Sequence, residues 1–222
     1  MKTQKTFREV MAAYNKSAPL YDLMNQVYFL GSDKRFRAMI VERLKLKPND
    51  AVLVLCCGTG LDFPFLFQKV KNQGILLGVD LSSGMLNQAK KRIASGVVDV
   101  IRSDVAHLPF CDKTFDAVLV SFCLKITPAY EQAIEESARV LKPAGRIGVL
   151  ANSRPYGFLR LLGIVLTRIL GAMAKINFEI NIREQLSKRF AIIENRKIYA
   201  GLVRFLVGRK RVSSNTKECS HQ

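Results

Sequence analysis

One stretch, Ala51-Val52-Leu53-Val54-Leu55-Cys56-Cys57-Gly58-Thr59-Gly60, constrains the fold of this chain more than any other. Five apolar residues run into a Gly-Thr-Gly turn, the pattern of a parallel strand buried on both faces. Glycines let the backbone turn tightly and lie close to a ligand. A second apolar run, Ile75 to Val79, ends in Asp80, twenty residues after Gly60. Strand, glycine turn, helix and a second strand tipped by an acid make one nucleotide-binding βαβ unit, with the acid placed for ribose hydroxyls.

The rest of the chain extends this unit. Phe7, Val10, Met11 and Tyr14 recur at helical spacing over residues 5–17, and Pro19 interrupts them. Ser32 or Asp33 is the expected cap of a helix to about Leu46, with Phe36, Met39, Ile40 and Leu44 inward. Residues 1–50 therefore read as a helical N-terminal cap. After the turn come a helix from Asp62 to Val70 and one capped by Ser82 or Ser83. Strands follow at 97–101 and 115–122, then a helix lined by Tyr130, Ala133, Ile134 and Leu141. Lys142-Pro143-Ala144-Gly145 reads as a break before a fifth strand, Arg146 to Ala151. Two late strands, Phe190 to Glu194 and Ile198 to Val207, close the series. The expectation is an α/β, Rossmann-like, seven-stranded and mostly parallel sheet. Its C-terminal hairpin is antiparallel, and helices cover both faces. Residues 51–207 form this domain, and 208–222 read as a disordered basic tail. Thr59, Asp80, Asp104 and Ser121 all fall at the carboxyl ends of strands, where such sheets bind ligands.

Charge and cysteine usage narrow the setting. The net charge is +17, of which residues 51–153 carry +2, residues 1–50 carry +5 and residues 154–222 carry +10. A neutral core with basic flanks favours an anionic partner surface, membrane or nucleic acid, although basic residues also serve plain solubility. Residues 155–176 form the most hydrophobic segment, with Arg160, Arg168 and Lys175 near one helical side. That pattern fits a basic amphipathic helix lying in a membrane interface better than a span; a core helix covering the sheet is the plain alternative. Five cysteines, with no C-x-x-C pair, read as free thiols in a reducing cytoplasm, and no metal site is expected. The polar start of the chain lacks the apolar core of a signal peptide.

These motifs carry a family resemblance over nearly the whole chain. Tyr21-Asp22-Leu23-Met24-Asn25, Gly58-Thr59-Gly60, Gly78-Val79-Asp80-Leu81-Ser82, Leu108-Pro109-Phe110, Ser121-Phe122-Cys123-Leu124-Lys125 and Arg139-Val140-Leu141-Lys142-Pro143 stand in order. So arranged, the chain resembles class I S-adenosylmethionine-dependent methyltransferases, and within them the ubiquinone/menaquinone biosynthesis C-methyltransferases. Gly60-Leu61-Asp62-Phe63-Pro64 also looks like bacterial phospholipid N-methyltransferases.

The resemblance implies S-adenosylmethionine as cofactor and a membrane lipid, either a prenylated quinone precursor or a phospholipid amine, as acceptor. It implies cofactor contacts from Gly58, Thr59, Gly60, Asp80, Leu81, Asp104, Val105 and Ser121. Thr59 would lie by the methionine part, Asp80 by the ribose, and Asp104 with Val105 by the adenine. Lys125 stands where the quinone enzymes usually show arginine, so Lys125 and Tyr21 become the catalytic candidates, while His107 reads as structural. A peripheral membrane enzyme of the cytoplasm follows. Two departures stand out: family members usually carry an acid at Val54 and a glycine at Cys56. Asp62 is a candidate substitute for the acid. Cys56 is expected to hold a negative φ with its β-carbon turned from the cofactor. These departures keep a non-catalytic relative in view, beside an RNA or other small-molecule methyltransferase. Nucleic acid is disfavoured as a partner: no Asn/Asp-Pro-Pro-aromatic tetrapeptide or Cys-Pro motif follows the fourth strand.

Overall fold

The computed structural model describes residues 11–93, 98–155 and 176–211. Helical residues 11–17 (α1) and α2 (Tyr21–Tyr28) lead into α3 (Asp33–Leu44). Then come β1 (Ala51–Leu55), α4 (Phe63–Val70), β2 (Ile75–Asp80), α5 (Ser83–Lys90), β3 (Val98–Arg102), β4 (Phe115–Ser121) and α6 (Tyr130–Val140). The chain closes with β5 (Leu141–Asn152), α7 (Ile182–Ser187), β6 (Phe190–Ile198) and β7 (Val203–Lys210).

The seven strands form one sheet in the order β3-β2-β1-β4-β5-β7-β6. Five are parallel, and β7 pairs antiparallel with both β5 and β6, as the sequence leads one to expect. β1 lies at the centre of the parallel part, which accounts for its unbroken apolar run. Val52 and Val54 pack into the layer of Phe36, Ile40, Phe63 and Leu66, whereas Leu53 and Leu55 pack into that of Ala133, Ile134 and Leu186. Alternate side chains thus serve opposite faces.

Several local expectations change. Ser32 occupies the N-terminal position of α3 without a capping bond, and Asp33 instead lies near Arg37 of its own helix. Ser82 does cap α5, accepting from the Met85 N–H at 3.1 Å. The expected break at 142–145 is absorbed into β5, which starts at Leu141; its register against β4 shifts between Phe115 and Ala117, and Ala144 takes φ +61°. That irregularity lets Pro143 sit within a strand. β7 continues to Lys210, past the expected start of the tail. Residues 1–10, 156–175 and 212–222 lie outside the described residues, and with them the beginning of the helix expected over 5–17, most of the expected interface helix and most of the expected tail. Among the described residues no helix is long and apolar enough to cross a membrane.

Candidate active site

Strand β1 delivers the chain into the glycine turn. Gly58 (φ +57°) and Gly60 (φ +82°) take left-handed conformations. A β-carbon on Gly60 would meet the Phe63 ring at 2.8 Å, so only glycine allows this turn to close on α4. Cys56 departs from expectation: its φ is +46°, and it lines the cavity beyond the turn. Its sulfur is joined to Cys123, across a Cα–Cα distance of 6.1 Å. β1 and β4 are parallel neighbours, so the residues just past their ends are brought to one edge. The free-thiol reading therefore fails for this pair, while buried Cys57 and exposed Cys111 are free.

The turn and the ends of β2, β3 and β4 line a cavity of about 730 Å³. Gly58, Asp80, Leu81, Asp104, Val105 and Ser121 all contribute to it. Asp80 accepts from the Gly58 N–H and the Ser82 N–H, both at 2.9 Å, which fixes its carboxylate at the turn. Burial raises its pKa, and these backbone donors hold it down in part. Asp104, one parallel strand away, accepts from the Ala106 N–H at 2.9 Å. Two acceptor carboxylates on adjacent strand ends, above a glycine turn whose Gly58 lines the cavity, fit the ribose hydroxyls and amino group of an adenosyl ligand.

Thr59 and Gly60 are not among the residues lining this cavity. Thr59 is 1% exposed and donates its hydroxyl to Asp22 at 2.5 Å. Arg92 completes the clamp, donating to the Thr59 carbonyl at 2.6 Å and pairing with Asp22. Asn15 adds a second tie, accepting from the Ser82 hydroxyl at 2.6 Å and the Gly84 N–H at 3.0 Å. The N-terminal cap is thereby fastened over the turn. Asp62 is also engaged. Arg37 pairs with it at 2.8 Å, with both side chains at most 5% exposed, and Ser121 donates to it at 3.2 Å. Sequence reasoning missed both networks because their members are far apart in the chain.

A second, apolar cavity of about 990 Å³ lies beneath the cap. Tyr14, Tyr21, Phe122 and Ile126 line both cavities, so the two adjoin. Burial raises the phenol pKa of Tyr14 and of Tyr21, which keeps both neutral at physiological pH. Asn152, the last residue of β5, also lines the second cavity; it is 6% exposed, and its side-chain oxygen has no hydrogen-bond partner. No Asp, Glu or His is among the described residues lining this cavity.

Lys125 lines neither cavity. Its ammonium lies 5.6 Å from the centre of the Phe178 ring. Burial, then Arg204 and Arg154, lower its pKa to about 8. His107 is exposed, 3.5 Å from Asp104. Among the described residues no His, Cys, Asp and Glu cluster could hold a metal.

This sheet order, with a reversed seventh strand and a ligand cavity at the glycine turn, defines the class I methyltransferase fold. A Thermotoga maritima S-adenosylmethionine-dependent methyltransferase is similar with a TM-score of 0.67, 18% identity and coverage of 90% of this chain and 99% of that one. The [4+2]-cyclase SpnF is similar with a TM-score of 0.65, 21% identity and 81% coverage of each chain. Within that class, residues 1–162 match the ubiE/COQ5 methyltransferase family, to which this chain belongs. The demethylmenaquinone methyltransferase of Lactobacillus johnsonii is 35% identical over 160 residues, covering 70% of this chain and 66% of the relative. The 2-phytyl-1,4-naphtoquinone methyltransferase of Synechococcus elongatus is 37% identical over 152 residues, covering 66% of this chain and 65% of the relative. The chain thus spans about two thirds of the length of these relatives.

Proposed function

We propose that this protein is an S-adenosylmethionine-dependent C-methyltransferase acting on the ring of a prenylated quinol, from the surface of a membrane. The observation that carries the reading is the pair of adjoining cavities, one with acceptor carboxylates for an adenosyl group, the other apolar. S-adenosylmethionine supplies an electrophilic methyl group when bound. Asp80 and Asp104 hold its ribose and adenine ends, with Gly58, Leu81, Val105 and Ser121 around them. Tyr14, Tyr21, Phe122 and Ile126 wall the junction and would shield the reacting atoms from water, at low local dielectric.

The acceptor cavity contributes no carboxylate or imidazole base among its described residues. It therefore suits an acceptor that activates itself, as a ring hydroxyl does for the neighbouring carbon. The unpartnered Asn152 oxygen is placed to accept from such a hydroxyl, which would remove the cost of leaving it buried and unpaired. Tyr21, being neutral, can donate to a ring oxygen but cannot serve as a base at neutral pH. The named activities of the quinone relatives support the same acceptor class. A prenyl tail keeps such an acceptor in a bilayer, and a net charge of +17 favours an anionic one.

The test is turnover of S-adenosylmethionine with a demethylnaphthoquinol and with phosphatidylethanolamine, each product identified by mass. A ring-methylated quinol is expected. A methylated head group, or no product from the quinol, would refute the proposal.

A further inference from the structure

Five of the large hydrophobic side chains that the fold leaves exposed lie within eleven residues of the cap. Leu20 is 61% exposed, Leu23 59%, Met24 42%, Val27 65% and Leu30 81%. Leu20, Leu23, Met24 and Val27 stand at i, i+3, i+4 and i+7, so they form one outward face of α2, and Leu30 extends it into the following turn. The other side of the helix carries Tyr21, Asn25 and Tyr28, which line the acceptor cavity, and Met24, at the edge of the stripe, reaches that cavity too. A contiguous apolar face of this kind marks an interaction surface.

The charges around it indicate what it meets. Lys16 precedes the stripe, and Lys34 and Arg35 follow it. All three are exposed, and none makes an ion pair among the described residues. The two acids of the region are engaged, Asp22 by Arg92 and Thr59, and Asp33 in a buried position near Arg37. An apolar stripe with a basic rim and no unengaged acid complements an anionic lipid surface.

We infer that α2 is a membrane-docking helix, lying in the interface of an anionic bilayer with Leu20, Leu23, Val27 and Leu30 inserted, so that the acceptor cavity opens beside the lipid. This rests on the acceptor reading only for why the helix is there; the docking itself is read separately. The sequence points to residues 155–176 for membrane contact, whereas this face lies at the other end of the fold's order.

The experiment is flotation of the full chain with vesicles of phosphatidylcholine, with and without phosphatidylglycerol. Wild type is expected to float with the anionic vesicles. Leu23→Asp/Val27→Asp, and Leu30→Asp alone, should each weaken binding, the pair by about tenfold or more. Lys34→Glu/Arg35→Glu should weaken the preference for phosphatidylglycerol. Unaltered cofactor binding and circular dichroism would verify folding. Wild-type flotation by the Leu23/Val27 variant would overturn the inference. So would a wild-type dimer that this variant turns into a monomer, because the face would then meet a second copy. Turnover of a tail-less naphthoquinol without vesicles should be equal in variant and wild type. If no form methylates it while flotation falls as expected, the docking inference stands and the quinol reading fails.

Discussion

Asp62→Asn removes one charge from the buried pair that ties α3 to the glycine turn. The Arg37 and Asp62 side chains are 5% and 3% exposed and meet at 2.8 Å. The change keeps side-chain shape and an oxygen for Ser121, but leaves a buried guanidinium whose remaining carboxylate neighbour among the described residues is Asp33, at 3.9 Å. Breaking a buried pair by removing one partner costs about 3–5 kcal/mol, and the remaining acid places this case near about 3. For a domain of this size that corresponds to a fall in Tm of about 6–12 °C. The assay is thermal unfolding by circular dichroism, paired with calorimetric titration of S-adenosylmethionine. Affinity should stay within about threefold, because Asp62 lines neither cavity, whereas Asp80 lines the first. Arg37→Met/Asp62→Leu should recover most of the loss, since a packed apolar pair needs no desolvation of charge. A Tm unchanged by Asp62→Asn would refute the reasoning. An affinity loss above about tenfold would instead make Asp62 a cofactor ligand, substituting for the acid absent at Val54.

Other outcomes follow from the same geometry. Asp80→Ala should weaken S-adenosylmethionine binding about 10–100-fold by calorimetry, the worth of one or two hydrogen bonds to a charged acceptor. Asn152→Leu should raise KM for the quinol while leaving cofactor affinity unchanged; equal effects on both would contradict its place in the acceptor cavity. Lys125 has its folded pKa lowered to about 8 by burial, so its charge opposes folding below that pH and ceases to do so near the ordinary lysine value of 10.5. The Tm advantage of Lys125→Met over wild type should therefore be present at neutral pH and shrink as pH rises from about 8 to 10.5. A pH-independent difference would refute that account. Thiol titration of unfolded protein should rise by two on reduction, because Cys56 and Cys123 are paired.

The sheet was legible because its signals are local. The run Ala51–Leu55, the glycines after it and the acid at the end of β2 each report their own backbone environment. Strand ends then place Asp80, Asp104 and Ser121 at one edge without knowledge of any contact. What could not be read is what depends on partners remote in the chain. Thr59 looks like a cofactor contact by position, yet its hydroxyl faces Asp22, 37 residues away. Cys56 looked strained in any left-handed conformation, and only its neighbour across β4 explains how it is held. The start of β5 was masked by Pro143 and Gly145, because a bulge leaves no pattern of its own in the sequence. Lys125 sits at a motif position but is turned toward Phe178, which a motif cannot reveal.

The ties from Asp22 and Asn15 to the turn and to α5 have a kinetic consequence. Met11, Tyr14 and Tyr21 of the cap roof the adenosyl cavity, and the same cap forms most of the second cavity. While Asp22 holds Thr59 and Arg92, the cap is held against the turn; when those bonds part, the second cavity loses cap residues from its wall. The two ligands should then bind in compulsory order, nucleotide before quinol, with the demethylated nucleotide leaving last. Product-inhibition patterns would read that order directly, and weakening the clamp at Arg92 should blur it toward random binding.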